Sequence, residues 1–404
     1  MATQSAIEWT DTTWSPVIGC DRVSPGCDSC YAITTARIRS HNPNPKIAAA
    51  FAGTAHRSAD RLDWTGTLNL LEDRLTKPLT WPKPAKIFVN SVSDIFHQGV
   101  PEEFIARIWA IMALTPRHTY QILTKRHARM RAVLTDTCRC GAGHAPGAHY
   151  RSAMAWAVSK GNPDRIPGLP DDAEQRVTQA AWPLPNVWIG VSAENQQWAD
   201  IRVPALLQTP AAVRFVSCEP LIEAVDLTRW LRPVPDCGYV DPDDGTCGHP
   251  DAFTPECHRW ADCPVRSRSA EWRGLDWVIA GGESGHRARP MHPQWARALR
   301  DECTAAGVPL FYKQWGEWAP HGEGEPTPAG AHGSTVLIDP QGRTHSSETG
   351  APVPAGWARM ARYGKKRAGS ALDGEHFEQL PGHYTRHPSH TTVPAVADTT
   401  TSPK

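Results

Sequence analysis

Three cysteines near the start of the chain have a spacing that suggests metal chemistry. Cys20, Cys27 and Cys30 lie in the segment GCDRVSPGCDSCYA, separated by six and then by two residues. Thiolates close together on one loop bind soft metals, and the intervening Ser24-Pro25-Gly26 suits a tight turn around a bound group. Three thiolates can hold three irons of a [4Fe–4S] cluster and leave the fourth iron open to a small molecule. The pattern predicts such a cluster, with a zinc ion completed by a fourth ligand from elsewhere in the fold as the alternative.

Two further segments, residues 136–182 and residues 236–272, are rich in cysteine and histidine. The first contains Cys138, Cys140, His144 and His149. The second contains the candidate zinc ligands Cys237, Cys247, Cys257 and Cys263, together with His249 and His258. The spacings are wide and irregular and fit no named zinc finger. A zinc site, an auxiliary iron–sulfur cluster and unligated thiols are therefore all open for these segments.

A second set of candidate site residues consists of polar groups and glycines that directly follow short apolar segments. Its members are Asn90, Ser91, Ser93, Asp94, Lys125, Glu194, Asn195, Glu219, Gly281, Gly282, Glu283 and Lys313. Helix capping accounts for some of the serine, asparagine and aspartate positions. It does not account for three glutamates and two lysines at equivalent places. We therefore expect several of these side chains to line one polar pocket.

The apolar segments before these residues have the composition of buried strands. They lie at residues 86–91, 119–124, 186–192, 213–218, 276–280 and 308–313, with a seventh candidate at 13–17. They are apolar throughout rather than alternating, as parallel strands covered by helices are. Helical patterns follow them at residues 102–115, 126–134, 198–207 and 293–306. This order predicts an α/β fold, a partial (β/α)6–7 TIM-like barrel with Cys/His-rich insertions, whose strands end at one rim.

The pattern divides the chain into seven parts. These are the first part of the barrel at 1–135, an insertion at 136–182, more barrel at 183–235, the Cys/His-rich insertion at 236–272, the end of the barrel at 273–318, a C-terminal extension at 319–384 and a Thr/Ser/Pro-rich tail at 385–404, predicted to be disordered.

Composition narrows the class of protein. Lysine plus arginine and aspartate plus glutamate are equal at 42 each, so the whole chain has no global attraction to nucleic acid. The first ten residues, MATQSAIEWT, lack the apolar core of a secretory signal, and no stretch approaches the roughly 18 apolar residues of a membrane span. We expect a soluble cytoplasmic protein without a membrane partner. Eleven cysteines in such a chain favour metal binding over disulfides.

Several motifs resemble a phage-associated protein family named for its three-Cys motif. They are IEWTDTTWSPVIGCDRVSPGCDSCYA, KIFVNSVSDIFH, ILTKR, VWIGVSAENQ, RFVSCEPL, WVIAGGESG and FYKQWGEW. The resemblance covers roughly residues 7–135 and 183–318. That family is in turn similar to the radical S-adenosylmethionine (SAM) enzymes, which have three cysteines before a partial barrel. The resemblance implies a barrel of the radical SAM type, although the first two cysteines are spaced more widely here than in the common pattern.

The resemblance also implies a function for the candidate residues. SAM would bind the open iron, and an electron delivered by a donor protein would cleave it to start radical chemistry on a substrate. The amino group of SAM would lie near Asn90, Ser91, Ser93 and Asp94. Glu194 or Asn195 would reach the ribose, Gly281 and Gly282 would let the backbone approach, with Glu219 and Glu283 beside them, and Lys125 and Lys313 would meet a carboxylate or an anionic substrate.

The phage association implies a nucleic acid or nucleotide substrate. Two other readings compete with the radical enzyme. One is a zinc-stabilised nucleic-acid-binding phage protein without catalysis, against which the neutral net charge counts. The other is a metal-dependent hydrolase, which would need histidine ligands where the strand ends offer mainly glutamate, asparagine and lysine.

Overall fold

The computed structural model of the chain describes residues 5, 7–58, 61–135, 147–231, 274–322, 334–346 and 352–382. In these residues the strands are β1 (Thr12–Trp14), β2 (Val17–Ile18), β3 (Ala55–Ser58), β4 (Arg61–Trp64), β5 (Asn69–Leu70), β6 (Lys86–Val89), β7 (Thr119–Thr124), β8 (Val187–Ser192), β9 (Val213–Cys218), β10 (Trp277–Gly281), β11 (Leu310–Gln314), β12 (Trp318–Pro320), β13 (Thr335–Ile338), β14 (Thr344–Ser346), β15 (Ala358–Arg362), β16 (Ala371–Leu372) and β17 (Glu375–His376).

The α-helices of the same residues are α1 (Tyr31–Arg39), α2 (Pro45–Phe51), α3 (Glu102–Leu114), α4 (His127–Leu134), α5 (Ala148–Val158), α6 (Ala173–Gln179), α7 (Gln196–Leu207), α8 (Pro293–Ala306) and α9 (Lys365–Ala368). Short 3-10 helices lie at Pro25–Cys27, Glu72–Arg74 and Lys77–Thr80.

Seven strands form one parallel sheet in the order β1-β6-β7-β8-β9-β10-β11. The sheet is curled, but its two edge strands, β1 and β11, do not pair with each other. It is therefore an open half-barrel. The expectation of a partial barrel with six or seven strands is confirmed. The predicted first strand at 13–17 is instead two short strands, β1 and β2, of which only β1 joins the sheet.

The strands are apolar throughout because each face of the sheet meets a different core. Residues that point outward, such as Ile87 and Tyr120, pack against the surrounding helices. Inward-pointing aromatic rings fill the barrel, with Phe88 from β6 and Trp277 from β10 around the ring of Trp9. The ring centroids of Trp9 and Phe88 are 4.7 Å apart. This aromatic floor closes the amino-terminal half of the barrel and leaves its carboxyl-terminal rim for polar groups.

Helix α3 is apolar on most of its circumference because a further layer covers it. The described part of the segment at 136–182 contributes α5 and α6, and both pack on α3. Trp109 of α3 meets Tyr150 of α5 edge to face, with ring centroids 5.9 Å apart. This part of the predicted insertion is therefore a second helical layer.

The region after the barrel is an antiparallel sheet in the order β12-β15-β13-β14, followed by the β16–β17 hairpin. The chain then returns to β11, where Phe311 forms an antiparallel bridge with Glu378. No described helix is long and apolar enough to cross a membrane. The candidate zinc ligands Cys237, Cys247, Cys257 and Cys263 lie outside the described residues, as do Cys138, Cys140 and the tail at 385–404.

Candidate active site at the three-cysteine loop

The segment from Cys20 to Cys30 crosses the carboxyl-terminal rim of the half-barrel. It leaves β2, bends at the 3-10 helix Pro25–Cys27 and enters α1, where Cys30 is the residue before the first turn. Its backbone contacts the Glu194 carboxylate, which follows β8, and the Arg289 guanidinium, which pairs with Glu283 after β10. The sequence is suited to this path because proline starts the short helix, and glycine at position 26 fits beneath Glu194.

All three thiols are half-buried and near enough to one another to interact electrostatically. Burial raises the pKa of the Cys20 thiol to about 12, with a further contribution from Asp94 and opposition from Arg126. Burial likewise raises the pKa of Cys30, and Cys27 adds to the effect. Without a cation the Cys20 and Cys30 thiols are therefore protonated at neutral pH. A bound metal would reverse this balance by stabilising the thiolates.

Glu194 holds the centre of the cysteine loop through a buried ion pair. Its carboxylate oxygens accept hydrogen bonds from Arg202 Nη1 at 2.8 Å and from the Gly26 backbone amide at 3.3 Å. Both charged side chains are 0% exposed. Burial alone would raise the pKa of Glu194, but Arg202 and Lys125 outweigh it and lower the pKa. A charged glutamate is thus fixed behind the loop.

Two further arginine–carboxylate pairs hold the neighbouring backbone groups. Arg289 donates to Glu283 at 2.6 Å and to the Pro25 carbonyl at 2.9 Å. Arg22 pairs with Asp63 at 2.7 Å and donates to the Cys27 carbonyl. Together with Glu194, these pairs hold three successive residues of the loop, Pro25, Gly26 and Cys27. The loop is positioned by charges from β4, β8 and β10 rather than by its own short helix.

A pocket of about 180 Å³ lies inside the rim, and Cys30 forms part of its wall. Its apolar wall consists of Ile7, Trp9, Phe88 and Leu123. Its polar wall includes Lys125, Ser192, Ser217, Glu219, Lys313 and Gln314.

The polar wall has both paired and unpaired groups. Lys313 Nζ lies 3.2 Å from Glu219 Oε1, and Lys125 Nζ donates to Ser192 Oγ at 3.0 Å. Ser217 Oγ and Gln314 Oε1 are buried without a hydrogen-bond partner among the described residues. Buried polar atoms normally have a partner. These two atoms, at the wall of a cavity, are available to a ligand.

The structure brings five of the predicted cofactor-binding residues to this pocket. They are Lys125, Glu219, Gly282, Glu283 and Lys313.

Four others, after β6, instead organise the protein's own backbone. Asn90 has a left-handed φ of 58° and accepts a hydrogen bond from the Val17 amide at 3.4 Å. Ser93 donates to the Val17 carbonyl at 2.7 Å. Ser91 accepts at its carbonyl from the hydroxyl of Tyr31 at 2.6 Å. Asp94 is buried and accepts from the Thr124 hydroxyl and the Lys125 amide. These contacts fix the start of the cysteine loop and the end of β7.

The remaining predicted residues, Glu194, Asn195 and Gly281, have protein partners, and so does Gly282 in the pocket wall. Glu194 is the buried partner of Arg202, and Asn195 caps α7 by accepting from the Trp198 amide at 3.1 Å. At Gly282 an added Cβ would lie 1.9 Å from the Trp315 carbonyl oxygen. At Gly281 it would lie 3.0 Å from Glu219 Oε1. The close approach that these glycines allow is therefore to neighbouring protein atoms.

Tyr31 and Ser284 are site residues that sequence reasoning missed. Both line the small pocket and also two larger cavities next to it, of about 680 Å³ and 890 Å³. They stand where the three spaces meet. For Tyr31 the available signal was its position directly after Cys30. A helix does not need an aromatic residue at its first position, so the tyrosine there could have been read as a site residue. For Ser284 the signal was weaker, because it is one of several polar residues after β10.

Among the described residues, no three histidine, cysteine, aspartate or glutamate side chains form a group that could hold a metal ion. The soft donor set of the cysteine loop fits a larger inorganic group, since each thiolate of a cluster binds a different iron.

Comparison with known proteins identifies the family of the chain but no characterised relative. No curated protein and no solved structure matches the chain. A family model described as "protein of unknown function (DUF5131)" matches residues 4–381, which include the whole half-barrel and the cysteine loop. The chain therefore belongs to the DUF5131 family.

Proposed function

We propose that this chain is an iron–sulfur enzyme of the radical SAM type. In this proposal Cys20, Cys27 and Cys30 hold a [4Fe–4S] cluster, and SAM occupies the small pocket beside Cys30. The observation that carries the proposal is the position of the three thiols. They lie together at the carboxyl-terminal rim of a parallel half-barrel, next to a polar pocket, where the active sites of parallel barrels are found.

The number of thiols on the loop favours a cluster over a single zinc ion. A structural zinc ion has four protein ligands. Three thiolates instead match a [4Fe–4S] cluster whose fourth iron is left open for a small molecule. The loop is also held rigidly at Pro25, Gly26 and Cys27, which suits a site that must keep one shape. A bound cluster would supply the electron that cleaves SAM, taken in turn from a donor protein.

The pocket offers groups that complement the amino acid end of SAM. Lys125 and Lys313 would meet its carboxylate, and Glu219 would meet its amino group. Ser217 Oγ and Gln314 Oε1 would gain the partners that they lack. The aromatic floor under the pocket excludes water from below. Because about 180 Å³ is less than the 300–1,000 Å³ of most ligand sites, SAM would extend past Tyr31 into an adjoining cavity.

The cluster is tested by anaerobic purification of the wild-type chain, Cys27→Ala and the control Cys303→Ala. Cys303 is buried on α8, away from the loop, so the control removes a thiol without touching the site. We expect about four irons per chain in the wild type and the control, and a marked loss in Cys27→Ala. Iron and acid-labile sulfide are quantified, and the visible absorption band is recorded.

A colourless wild-type protein that contains only zinc after anaerobic reconstitution with iron and sulfide would contradict the proposal. It would instead favour the zinc-stabilised binding protein. Where the cluster forms, SAM binding is measured by equilibrium dialysis on the reconstituted wild type and on Lys313→Met. We expect about tenfold weaker binding for the variant, because one charge-assisted contact of roughly 1.5 kcal/mol is lost.

A further inference from the structure

The open side of the half-barrel contains a large groove to which the proposed function assigns no substrate. It has a volume of about 890 Å³ and lies between the two unpaired edges of the sheet. One wall comes from β1 (Thr12–Trp14) and the segments around Arg39 and Lys77. The other comes from the end of β11 and from Lys365. We call this space the seam groove. Its volume is at the upper end of the range for ligand sites.

The seam groove is lined by positive charge. Its basic residues are Arg39, Arg74, Lys77, Lys313 and Lys365, and no aspartate or glutamate is among the described residues that line it. Lys313 and Lys365 share the carboxylate of Glu8, at 3.9 Å and 3.4 Å. Lys313 also pairs with Glu219, which lines the small pocket and not the groove, so the positive charges on the groove wall exceed the nearby carboxylates.

The three basic residues on the β1 side have no close acidic partner. Within the described part of the chain, no carboxylate oxygen lies within 4 Å of Arg39, Arg74 or Lys77. Arg74 Nη1 donates a hydrogen bond to the Ser15 carbonyl. Asp73 attracts Arg74 and Lys77 electrostatically, but only from beyond ion-pair distance. Like charges held together in a partly buried groove repel one another, and an anion in the groove would relieve the repulsion.

Two accessible aromatic side chains line the groove together with the charges, in addition to the buried rings of Trp14 and Phe51. Tyr31 is 52% exposed, and its hydroxyl donates to the Ser91 carbonyl. Trp81 is half-buried. Aromatic rings in a basic groove are the pattern that binds single-stranded nucleic acid, because every base offers a flat face for stacking. A duplex hides those faces, and an acidic peptide has none to offer.

We infer that the seam groove binds single-stranded nucleic acid, with phosphates at Arg39, Arg74 and Lys77 and a base stacked on Tyr31. The inference rests on the proposed function in one respect, that the bound strand is the substrate. Ile7, Tyr31, Ser284, Lys313 and Gln314 line both the groove and the small pocket, so a strand in the groove passes beside Cys30. The neutral net charge of the chain conceals this local basic groove.

Binding is measured by fluorescence anisotropy with labelled 12-nucleotide single strands of DNA and RNA, on the full chain with its cluster. The test variant is Arg39→Ala with Lys77→Ala. The matched control is Arg131→Ala with Lys160→Ala, which also removes two cations but outside the groove. Each phosphate contact contributes about 0.7 to the slope of log K against log salt concentration. Loss of two contacts, with equal binding at 1 M salt, therefore makes the test variant bind about 25-fold more weakly at 0.1 M salt. The control should bind as the wild type does.

A second pair of variants tests the stacking. Tyr31→Ala should weaken binding by at least about fivefold, whereas Tyr31→Phe keeps the ring and should bind within about twofold of wild type. Cys27→Ala should lose iron but keep oligonucleotide binding, so that failure of the cluster and failure of the groove are told apart.

Three results would overturn the inference. The first is no binding of either single strand at 50 mM salt. The second is equal weakening in the groove variant and the Arg131/Lys160 control. The third is competition by a duplex or by polyglutamate as effective as that by the unlabelled single strand, which would assign the groove to a duplex or to an acidic protein.

Discussion

The cysteine loop is held in place by residues that are distant in sequence. Pro25, Gly26 and Cys27 each contact one arginine–carboxylate pair, and two of the three carboxylates follow β8 and β10. Such pairs stabilise little on their own, because burying charge is costly. What they provide is a fixed backbone path for three thiols. A substitution that shifts this backbone path should therefore disturb the proposed cluster site.

Gly26→Ala tests whether the path of the cysteine loop depends on Glu194, because it adds a single carbon atom next to that carboxylate. An added Cβ would lie 3.0 Å from Glu194 Cδ, and Arg202 prevents that carboxylate from moving aside. We expect a loss of about 1–3 kcal/mol in the free energy of unfolding, measured in urea on cluster-free protein. We also expect a lower iron content after reconstitution.

The control for this variant is Gly161→Ala, where the nearest atom, Ser159 Oγ, would be 3.7 Å from the new Cβ. It should unfold within about 0.5 kcal/mol of the wild type. Full iron content in Gly26→Ala would mean that the loop is not positioned by Glu194.

Sequence reasoning predicted the residue types at the rim but not their partners. Lys125, Glu219 and Lys313 reach the pocket as expected, because parallel strands bring their carboxyl ends to one rim. Glu194 does not, because Arg202 lies two helical turns along α7 and captures it. Which carboxylate meets an arginine and which faces a cavity is decided by side-chain packing. A single sequence carries no signal for that choice.

At the scale of elements, the barrel could be predicted almost completely. Each of the six main predicted strands and each of the four predicted helices agrees with the structure to within two residues at either end. Elements buried on both faces, or along one wide stripe, have strong sequence patterns. The strands of the C-terminal sheet have no such pattern, because β13 and β14 are short and mostly exposed or half-exposed. They could not be predicted from the sequence.

The β16–β17 hairpin is tied to α8 by charge, and this tie should depend on pH. Asp373 accepts from Arg297 at 2.7 Å and from Arg300 at 2.6 Å. The bond from Arg297, with help from Arg300 and against some burial, lowers the pKa of Asp373 to about 2. A lowered pKa means that the carboxylate stabilises the fold above the unfolded pKa of about 3.9, and that this stabilisation is lost as the pH falls towards 2.

Asp373→Asn isolates this contribution, and asparagine tolerates the left-handed φ of 54° at this position. Because the carboxylate is more than a third exposed, solvent screening reduces the effect to about 1 kcal/mol. We expect that difference in the free energy of unfolding at pH 6, and gradual convergence of wild type and variant as the pH is lowered from about 4 towards 2. Asp164→Asn, which removes a carboxylate without an ion pair among the described residues, should show no such trend. A difference for Asp373→Asn that is independent of pH would assign the role to packing.

At the scale of the whole molecule, an open half-barrel has two edge strands that must be covered or otherwise kept from pairing with another chain. An uncovered parallel edge is a template for pairing with another chain. Near the amino end of β11 the chain covers its own edge with residues 377–379, while Trp9 fills the barrel beneath. Towards the carboxyl end the edges stay apart and form the seam groove. The same seam is thus closed where the core needs it and open beside the cysteine loop.

Truncation of the chain tests how much the cover on β11 contributes. A chain that ends at His376 keeps the β16–β17 hairpin and loses four hydrogen bonds to β10 and β11, namely two backbone bonds between β11 and residues 377–379 and two contacts of Gln379 with Leu310 and Trp277. At about 1 kcal/mol each, the loss is about 4 kcal/mol in the free energy of unfolding. The exposed edge should also cause concentration-dependent association, seen by light scattering. A chain that ends at Gly382 keeps all four bonds and should match the full-length protein in both measurements. Equal urea midpoints for the two truncations would mean that Trp9 and the neighbouring strands hold the seam without the C-terminal segment.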